Sequence, residues 1–165
     1  MDKAGSKNRG KHNGRSHPGG ANGSSRQFEF TIRSDDQDAR DLVEEQILND
    51  IHRRGYNGDA VFAIKLALEE ALTNAIRHGN RQDPHKKVHV QAIVSSTEAV
   101  IEIEDEGPGF DRCQVPNPTL PENLEKCSGR GIHLIEAYMN EVHYSQGGRR
   151  VKMVKRNEPD TLPRG

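Results

Sequence analysis

The sequence predicts an α+β protein, a two-layer α/β sandwich in which helices cover one face of a mostly antiparallel sheet. Two observations lead to this prediction. Apolar residues recur with a period of two in some segments and with helical spacing in others, in the order strand, two helices, hairpin, long loop, helix, hairpin. Hairpins join antiparallel strands, and the helices between them need one face of that sheet to bury their own apolar stripes.

The first strand and the first two helices come in sequence order. Residues 28–32 alternate apolar and polar, as in a half-buried strand. Residues 34–36 offer Ser and Asp oxygens that can cap a helix ending at Gly55. A second helix follows residues 56–59 and ends at Gly79, where glycine takes the left-handed conformation at low cost. The apolar stripe of this second helix comprises Val61, Ile64, Leu68, Leu72, Ala75 and Ile76.

The remaining elements are two hairpins, a long loop and a third helix. Apolar residues alternate around residues 88–92 and 100–103, which indicates an antiparallel hairpin. Residues 111–128 contain three prolines and no sustained period, as is usual for functional lids or disordered loops. A third helix is expected over residues 129–140, and the glycine pair 147–148 lies at the turn of a last hairpin.

Charge divides the chain into two parts. Residues 1–26 hold six Lys and Arg against one Asp, together with six glycines and almost no large apolar residue. The whole chain has 24 basic and 25 acidic residues, so the rest has 18 and 24, a net charge of −6. We predict a disordered basic tail over residues 1–27, a domain over 28–156 and a short flexible end over 157–165. Nucleic-acid binding through the tail is an alternative, but a solubilising arm is favoured.

The sequence also argues against a membrane, an exported protein and a metal centre of His or Cys. No apolar run approaches the roughly 18 residues of a membrane span, and no apolar segment follows the first charges. Cys113 and Cys127 lack metal-ligand spacing. His85 and His89 flank an alternating strand pattern, in which residues four apart lie about 13 Å from each other. These features predict a cytoplasmic protein with surface histidines.

Glu70 and Asn74 lie one turn apart on the predicted second helix, and His78 extends the same line. At 100° per residue Glu70 points away from the apolar stripe, whereas Glu69 points about 100° to its side. A carboxylate can act as a general base, and an amide oxygen can bind magnesium. A solvated helix face would also explain these two residues, and in isolation it is the simpler interpretation.

Two glycine-rich segments add to this pair. Asp105 directly follows a predicted strand and precedes Gly107 and Gly109, so an acceptor for the exocyclic amine of adenine lies beside backbone without Cβ atoms. Residues 129–131, Gly-Arg-Gly, open the predicted third helix, where free amides favour phosphate. In isolation an ordinary turn is the simpler interpretation of the first segment, and the second is similarly weak alone. Together and in this order, the three segments predict a nucleotide pocket.

Residues 28–156 resemble the RsbW-type anti-sigma factor serine kinases, which belong to the GHKL superfamily of ATPases with gyrase, histidine kinases and MutL. Residues 70–79, Glu-Ala-Leu-Thr-Asn-Ala-Ile-Arg-His-Gly, are similar to the N-box of that family. Residues 105–110 and 128–134 are similar to its first and second glycine boxes. The resemblance implies the Bergerat-type ATP-binding fold.

The resemblance also implies roles for individual residues. Glu70 would be the general base, Asn74 the Mg²⁺ ligand and Asp105 the acceptor for adenine, with ATP held beneath a mobile lid. The other residues that it assigns to nucleotide binding are His78, Gly107, Gly109, Phe110, Ser128, Gly129, Arg130, Gly131 and Ile132.

The implied reaction transfers the γ-phosphate of ATP to a serine of a small anti-anti-sigma protein of the STAS type. The resemblance further implies a homodimer that sequesters a sigma factor, with no membrane and no specific nucleic acid as partner. A histidine kinase fits less well, because no helical pair with a phosphoacceptor histidine precedes the predicted domain. The second hypothesis is a non-catalytic module in which ATP only sets the affinity for a partner protein.

Overall fold

The computed structural model describes residues 24–110 and 130–158. The predicted loop, with both cysteines, therefore lies entirely outside the described residues, as do most of the predicted tail and most of the predicted C-terminal end. The elements in chain order are β1 (Arg26–Arg33), α1 (Gln37–Arg53), α2 (Gly58–Thr73), a π-helical turn (Asn74–Gly79), β2 (Lys87–Val94), β3 (Glu98–Asp105), α3 (Arg130–Tyr138), β4 (Glu141–Ser145), a 3-10 turn (Gln146–Gly148) and β5 (Arg150–Arg156).

The strands of the described region form one sheet in the order β1-β2-β3-β5-β4. Every neighbouring pair is antiparallel, so the prediction of a mostly antiparallel sheet is confirmed. Among the described strands the sheet is entirely antiparallel. The β2–β3 and β4–β5 hairpins were both predicted. The pairing of β3 with β5 puts the last of these strands inside the sheet rather than at its edge.

The helices cover one face of the sheet, which confirms the predicted two-layer sandwich. Alternate residues of β2 are buried, and the register sets Val90 opposite Ile103 and Ala92 opposite Ile101. Largely aliphatic side chains from α1 and α2 complete this core; among them are Val43, Ile47, Ile51, Ile64, Leu68 and Leu72.

The other face of the sheet carries ion pairs between neighbouring strands. Arg150 Nη2 lies 2.5 Å from Glu104 Oε2, and Lys152 Nζ lies 3.5 Å from Glu102 Oε1. Opposite charges facing each other on adjacent strands support this register, as the apolar pairs do on the buried face. Because the apolar side chains lie on one face of the sheet and the charged ones on the other, the helices cover the apolar face.

The folded region begins earlier than the predicted boundary at residue 28. Arg26 and Gln27 belong to β1, where Arg26 pairs with Val94. The Arg26 guanidinium lies 4.7 Å from the centre of the Phe28 ring, and its Nη1 lies 3.6 Å from Asp50 Oδ1. These contacts take the last two residues of the predicted tail into the sheet.

The folded region also continues past the predicted boundary at residue 156. The Asn157 amide donates to the Thr97 carbonyl at 2.7 Å, and Asn57 Nδ2 donates to the Glu158 carbonyl at 2.6 Å. Asn157 and Glu158 are thereby tied to the β2–β3 turn and to the N-cap residue of α2. The predicted flexible end therefore starts at least two residues too early.

The second predicted helix changes character before its end. It is α-helical only as far as Thr73, and residues 74–79 form a π-helical turn. The Asn80 amide closes this turn by donating to the Ala75 carbonyl, five residues back, at 2.8 Å. The prediction of a regular α-helix to Gly79 was therefore wrong in its last six residues.

Among the described residues, no helix is long and apolar enough to cross a membrane.

Candidate nucleotide-binding site

Glu70 and Asn74, from the end of α2 and the start of the π-helical turn, lie against the first turn of α3. A Cβ atom at Gly131 would lie 2.4 Å from Glu70 Oε2 and 3.5 Å from Asn74 Nδ2. Only a glycine therefore allows the backbone of α3 to approach this carboxylate and amide so closely. The fold thus brings together the first and third predicted motifs. The N-terminal end of a helix favours an anionic neighbour, here the Glu70 carboxylate.

Asp105 is the last residue of β3 and is 8% exposed. Its carboxylate Oδ1 accepts a hydrogen bond of 2.8 Å from the Gly107 amide, and its own amide donates to the Arg149 carbonyl at 3.0 Å. Burial raises the pKa of Asp105 above its ordinary value, while the Gly107 hydrogen bond and the Arg149 charge act in the opposite direction. A buried carboxylate with spare acceptor capacity can bind an amine donor of a ligand.

Gly79 and Gly107 pack against each other and against Asp105. A Cβ atom at Gly79 would lie 2.3 Å from Asp105 Cγ, and one at Gly107 would lie 2.1 Å from the Gly79 carbonyl oxygen. Gly79 is absent from the residues with positive φ, so the predicted left-handed conformation was wrong. The physical reason for glycine here is close approach, because any larger side chain would displace the Asp105 carboxylate.

Gly109 and Phe110 contact the turn between β4 and β5. Gly109 has a φ of 80°, and a Cβ atom there would lie 2.0 Å from the Gly147 carbonyl oxygen. The Phe110 amide donates to that same carbonyl at 2.9 Å, and its ring packs edge-on against Tyr144 at 5.5 Å. These contacts anchor the end of the first glycine box to the turn before β5, the strand that neighbours β3.

The other residues assigned to nucleotide binding differ in their surroundings. His78 is exposed on the π-helical turn, Arg130 is exposed at the start of α3, and Ile132 is buried in that helix. Ser128 and Gly129 lie outside the described residues. The roles of all five in nucleotide binding stay predictions.

Asn80 was missed by the sequence analysis, in which the second helix ends at the preceding residue, Gly79. It is fully buried; its Nδ2 donates to Ser34 Oγ at 2.9 Å and to the Lys87 carbonyl at 2.8 Å. Its Oδ1 accepts a 2.8 Å hydrogen bond from the Glu106 amide. An asparagine next to a glycine is typical of a turn, and two of these partners lie 26 and 46 residues away, so no local pattern reveals them.

Arg40 was also missed, and it fastens α1 to the end of α2. Its Nη2 donates to the Glu69 carbonyl at 3.3 Å and to Thr73 Oγ1 at 3.0 Å. Its Nε lies 3.3 Å from Glu44 Oε1, and burial raises the pKa of that carboxyl, although Arg40 opposes the rise. Arg40 therefore holds the turn of α2 from which Glu70 and Asn74 project.

The donor set of the site suits a magnesium ion with a nucleotide. Mg²⁺ takes oxygen ligands and usually keeps several waters, so one or two protein ligands are enough when phosphates supply others. The Asn74 side chain contributes an amide oxygen, and the neighbouring Glu70 contributes negative charge. Both side chains lie beside the same glycine at the start of α3, where an added Cβ atom would meet them. These residues fit the predicted cofactors.

A family model describing a histidine kinase-like ATPase domain matches residues 28–155 of the chain. The chain belongs to this family. An anti-sigma F factor from Oceanobacillus iheyensis is 38% identical over 87 residues, which cover 51% of this chain and 59% of that protein. An anti-sigma F factor from Clostridium perfringens is 33% identical over 102 residues, covering 59% and 72%. The serine-protein kinase RsbW of Bacillus subtilis is 31% identical over 112 residues, covering 62% and 69%.

These comparisons confirm the predicted resemblance to RsbW-type proteins and the predicted ATPase fold. The names of these relatives, anti-sigma F factor and serine-protein kinase, belong to the class of protein that the sequence analysis expects. The matched part of this histidine kinase-like ATPase spans between 59% and 72% of these three relatives.

Proposed function

We propose that this chain is an ATP- and Mg²⁺-dependent serine kinase that also sequesters a sigma factor. Its substrate would be a serine of an anti-anti-sigma protein with a STAS domain. The observation that carries the proposal is the contact of Glu70 and Asn74 with Gly131 at the start of α3. The proximity supports the proposal, because a carboxylate that can act as a base and a polar amide side chain would lie beside helix amides that favour phosphate.

Asp105 would select the base. Its buried carboxylate accepts hydrogen bonds, and the 6-amino group of adenine donates them. Guanine presents a carbonyl oxygen at the corresponding position, which an ionised carboxylate repels. The absence of side chains at Gly79 and Gly107 leaves the backbone beside Asp105 open to close approach.

Asn74 and α3 would hold the phosphates. The Asn74 amide oxygen is the proposed magnesium ligand, and the first amides of α3, with the Arg130 charge, would bind phosphate oxygens. Bound Mg²⁺ would offset the negative charge that accumulates on the phosphates during transfer. The residues of the chain would orient the reacting groups, and such positioning provides much of the catalysis in phosphoryl transfer.

Glu70 would take the proton of the acceptor serine. As the serine oxygen forms its bond to the γ-phosphorus, the bond between that phosphorus and the β,γ-bridging oxygen breaks and ADP leaves. The proton of the serine hydroxyl passes to the Glu70 carboxylate. A glutamine at this position keeps the shape but cannot accept that proton.

The proposed partners follow from the names of the relatives. Two of them are called anti-sigma F factors and one is called a serine-protein kinase, which supports a sigma factor as one partner and a protein serine as the substrate. We further propose a homodimer that works in the cytoplasm, where a sigma factor is available. Neither a membrane nor a specific nucleic acid is among the proposed partners.

The deciding experiment compares Glu70→Gln with Glu69→Gln in the full chain. Transfer from radiolabelled ATP to a panel of purified STAS-domain proteins is measured beside ATP binding by calorimetry. Loss of a general base should lower transfer by about 10²-fold or more in Glu70→Gln, with ATP still bound. The neighbouring Glu69→Gln should transfer normally.

Equal phosphoryl transfer by both variants would show that Glu70 is not the general base. The non-catalytic hypothesis makes a different forecast: ATP binds, no protein is phosphorylated by the wild type, and Glu70→Gln regulates its partner as the wild type does.

A further inference from the structure

Asn80 is the most completely buried polar side chain of the described region, and it connects three separate segments. Its side chain spans from Ser34, just after β1, to the Lys87 carbonyl at the start of β2 and to the Glu106 amide after β3. Its exposure is 0%. Both N–H groups of the amide and its oxygen have partners, so the hydrogen bonds define one orientation of the side chain.

The peptide that Asn80 holds is the one that follows Asp105. Asn80 Oδ1 accepts from the Glu106 amide, and the Glu106 carboxylate in turn accepts a 2.8 Å hydrogen bond from the Lys87 amide. Asp105 itself accepts from the next amide, that of Gly107. The turn after β3 is therefore fixed at two successive amides, of which Asn80 holds the first.

The residue before Asn80 touches Asp105 from the other side. Gly79 lies so close that a Cβ atom there would be 2.4 Å from Asp105 Oδ2. The backbone of residues 79–80 thus contacts the carboxylate directly and holds its peptide through the Asn80 side chain. A shift of this peptide that moves the Asp105 Cα would carry the Asp105 carboxylate with it, because the peptide and the side chain are attached to the same Cα atom.

We infer that Asn80 is a positioning residue that fixes the Asp105 carboxylate against the π-helical turn and thereby sets the preference for adenine over guanine. The inference rests on the proposed function, in which Asp105 accepts the adenine amine. Asn80 does not touch the nucleotide. It acts through the Glu106 amide, and a carboxylate held in one place discriminates between a donor and an acceptor better than one free to turn.

The test compares the affinities of the full chain for Mg-ATP and Mg-GTP by calorimetry. Asn80→Ser shortens the side chain so that it no longer reaches the Glu106 amide, and Asn80→Ala removes the polar group. We expect the ATP affinity to fall about tenfold, as for one lost hydrogen bond to a binding group, and the ratio of ATP to GTP affinity to fall by a similar factor. Hydrogen exchange at the Glu106 amide should quicken in the same variants.

Ser34→Ala is the matched control, because it removes a different partner of the same Asn80 amide. It should lower the melting temperature while leaving the ATP-to-GTP ratio and the exchange at Glu106 as in the wild type. If a folded Asn80→Ser or Asn80→Ala keeps the wild-type ratio, the inference is overturned while the proposed function stands. If the wild type binds no ATP, the proposed function is overturned and the inference falls with it.

Discussion

At the scale of single residues, Gly131 determines where the Glu70 carboxylate lies. Helices tolerate alanine better than glycine, so Gly131→Ala in α3 would be neutral or stabilising if only local propensity mattered. The Cβ atom would instead meet Glu70 Oε2 at 2.4 Å and push the carboxylate aside.

We expect Gly131→Ala to lower phosphoryl transfer by about tenfold or more, since a general base displaced by about 1 Å loses most of its effect. Melting should show a folded protein. Gly58→Ala is the control, because nothing lies within 4 Å of a Cβ atom there. Equal transfer rates in the two variants would contradict the contact between α3 and Glu70.

Asp105 is a second residue whose burial has a measurable effect. Because burial raises its pKa, the folded protein binds this proton more tightly than the unfolded chain does. The stability that the raised pKa contributes is complete below the ordinary value of 3.8 and is lost as the pH rises through the folded-state pKa. Ionisation of the buried carboxylate, as the pH rises through that pKa, therefore lowers the free energy of unfolding.

Asp105→Asn removes this ionisation and should gain stability relative to the wild type as the pH rises from 4 to 7. Urea unfolding at both pH values measures the difference. The same variant should lose about ten- to a hundredfold in ATP affinity, as for a hydrogen bond to a charged group. A stability difference that does not change with pH would show that Asp105 titrates normally.

The residues that sequence could identify were those whose role shows in local spacing. Glu70 and Asn74 share a helix face, and Asp105 directly follows an alternating strand, so both positions were visible in the pattern. Asn80 and Arg40 were not, because their hydrogen bonds join segments distant in sequence. Gly79 was correctly singled out but for the wrong reason. A glycine is required there because Asp105 lies close to it in space, and not because of its backbone conformation.

At the scale of elements, the junction between α2 and the π-helical turn shows tertiary contacts overriding local preference. Periodicity located the three α-helices and the five strands of the described region, because a buried face imposes its spacing on the sequence. It could not show that the helix changes from α to π geometry after Thr73. There Asn80 and Gly79 are held by residues of β2 and of the turn after β3. π-helical turns inside helices often occur at functional sites.

Arg40 is the link between α1 and this junction. We expect Arg40→Met to lower the free energy of unfolding by about 1–3 kcal/mol, because the Glu69 carbonyl and Thr73 hydroxyl lose a charged donor and Glu44 loses its counter-charge. Urea unfolding measures this. Arg53→Met, at an exposed position near the end of α1, should change stability by less than about 0.5 kcal/mol. A similar loss in both variants would refute the special role of Arg40.

At the scale of the whole molecule, the site draws on distant parts of one sheet and its helical layer, so ligand binding should stabilise the fold as a unit. At 100 times its dissociation constant, Mg-ATP should add about 2.7 kcal/mol and raise the melting temperature by on the order of 10 °C. Chelation of Mg²⁺ should remove most of the shift. Glu70→Gln should keep it, whereas Asp105→Asn, which binds ATP ten- to a hundredfold more weakly, should keep only about 0.4–1.4 kcal/mol at the same concentration; a full shift in Asp105→Asn would place the nucleotide elsewhere.

The position of β5 has a consequence for the newly made chain. This strand is the last of the described five in sequence, yet it lies between β3 and β4. Residues just before it hold the site: the Arg149 carbonyl accepts from the Asp105 amide, and the Gly147 carbonyl accepts from that of Phe110. A ribosome that has released only the first three strands therefore exposes every residue of the N-box but no finished pocket. Competence for ATP arrives late in synthesis, when β5 enters the sheet.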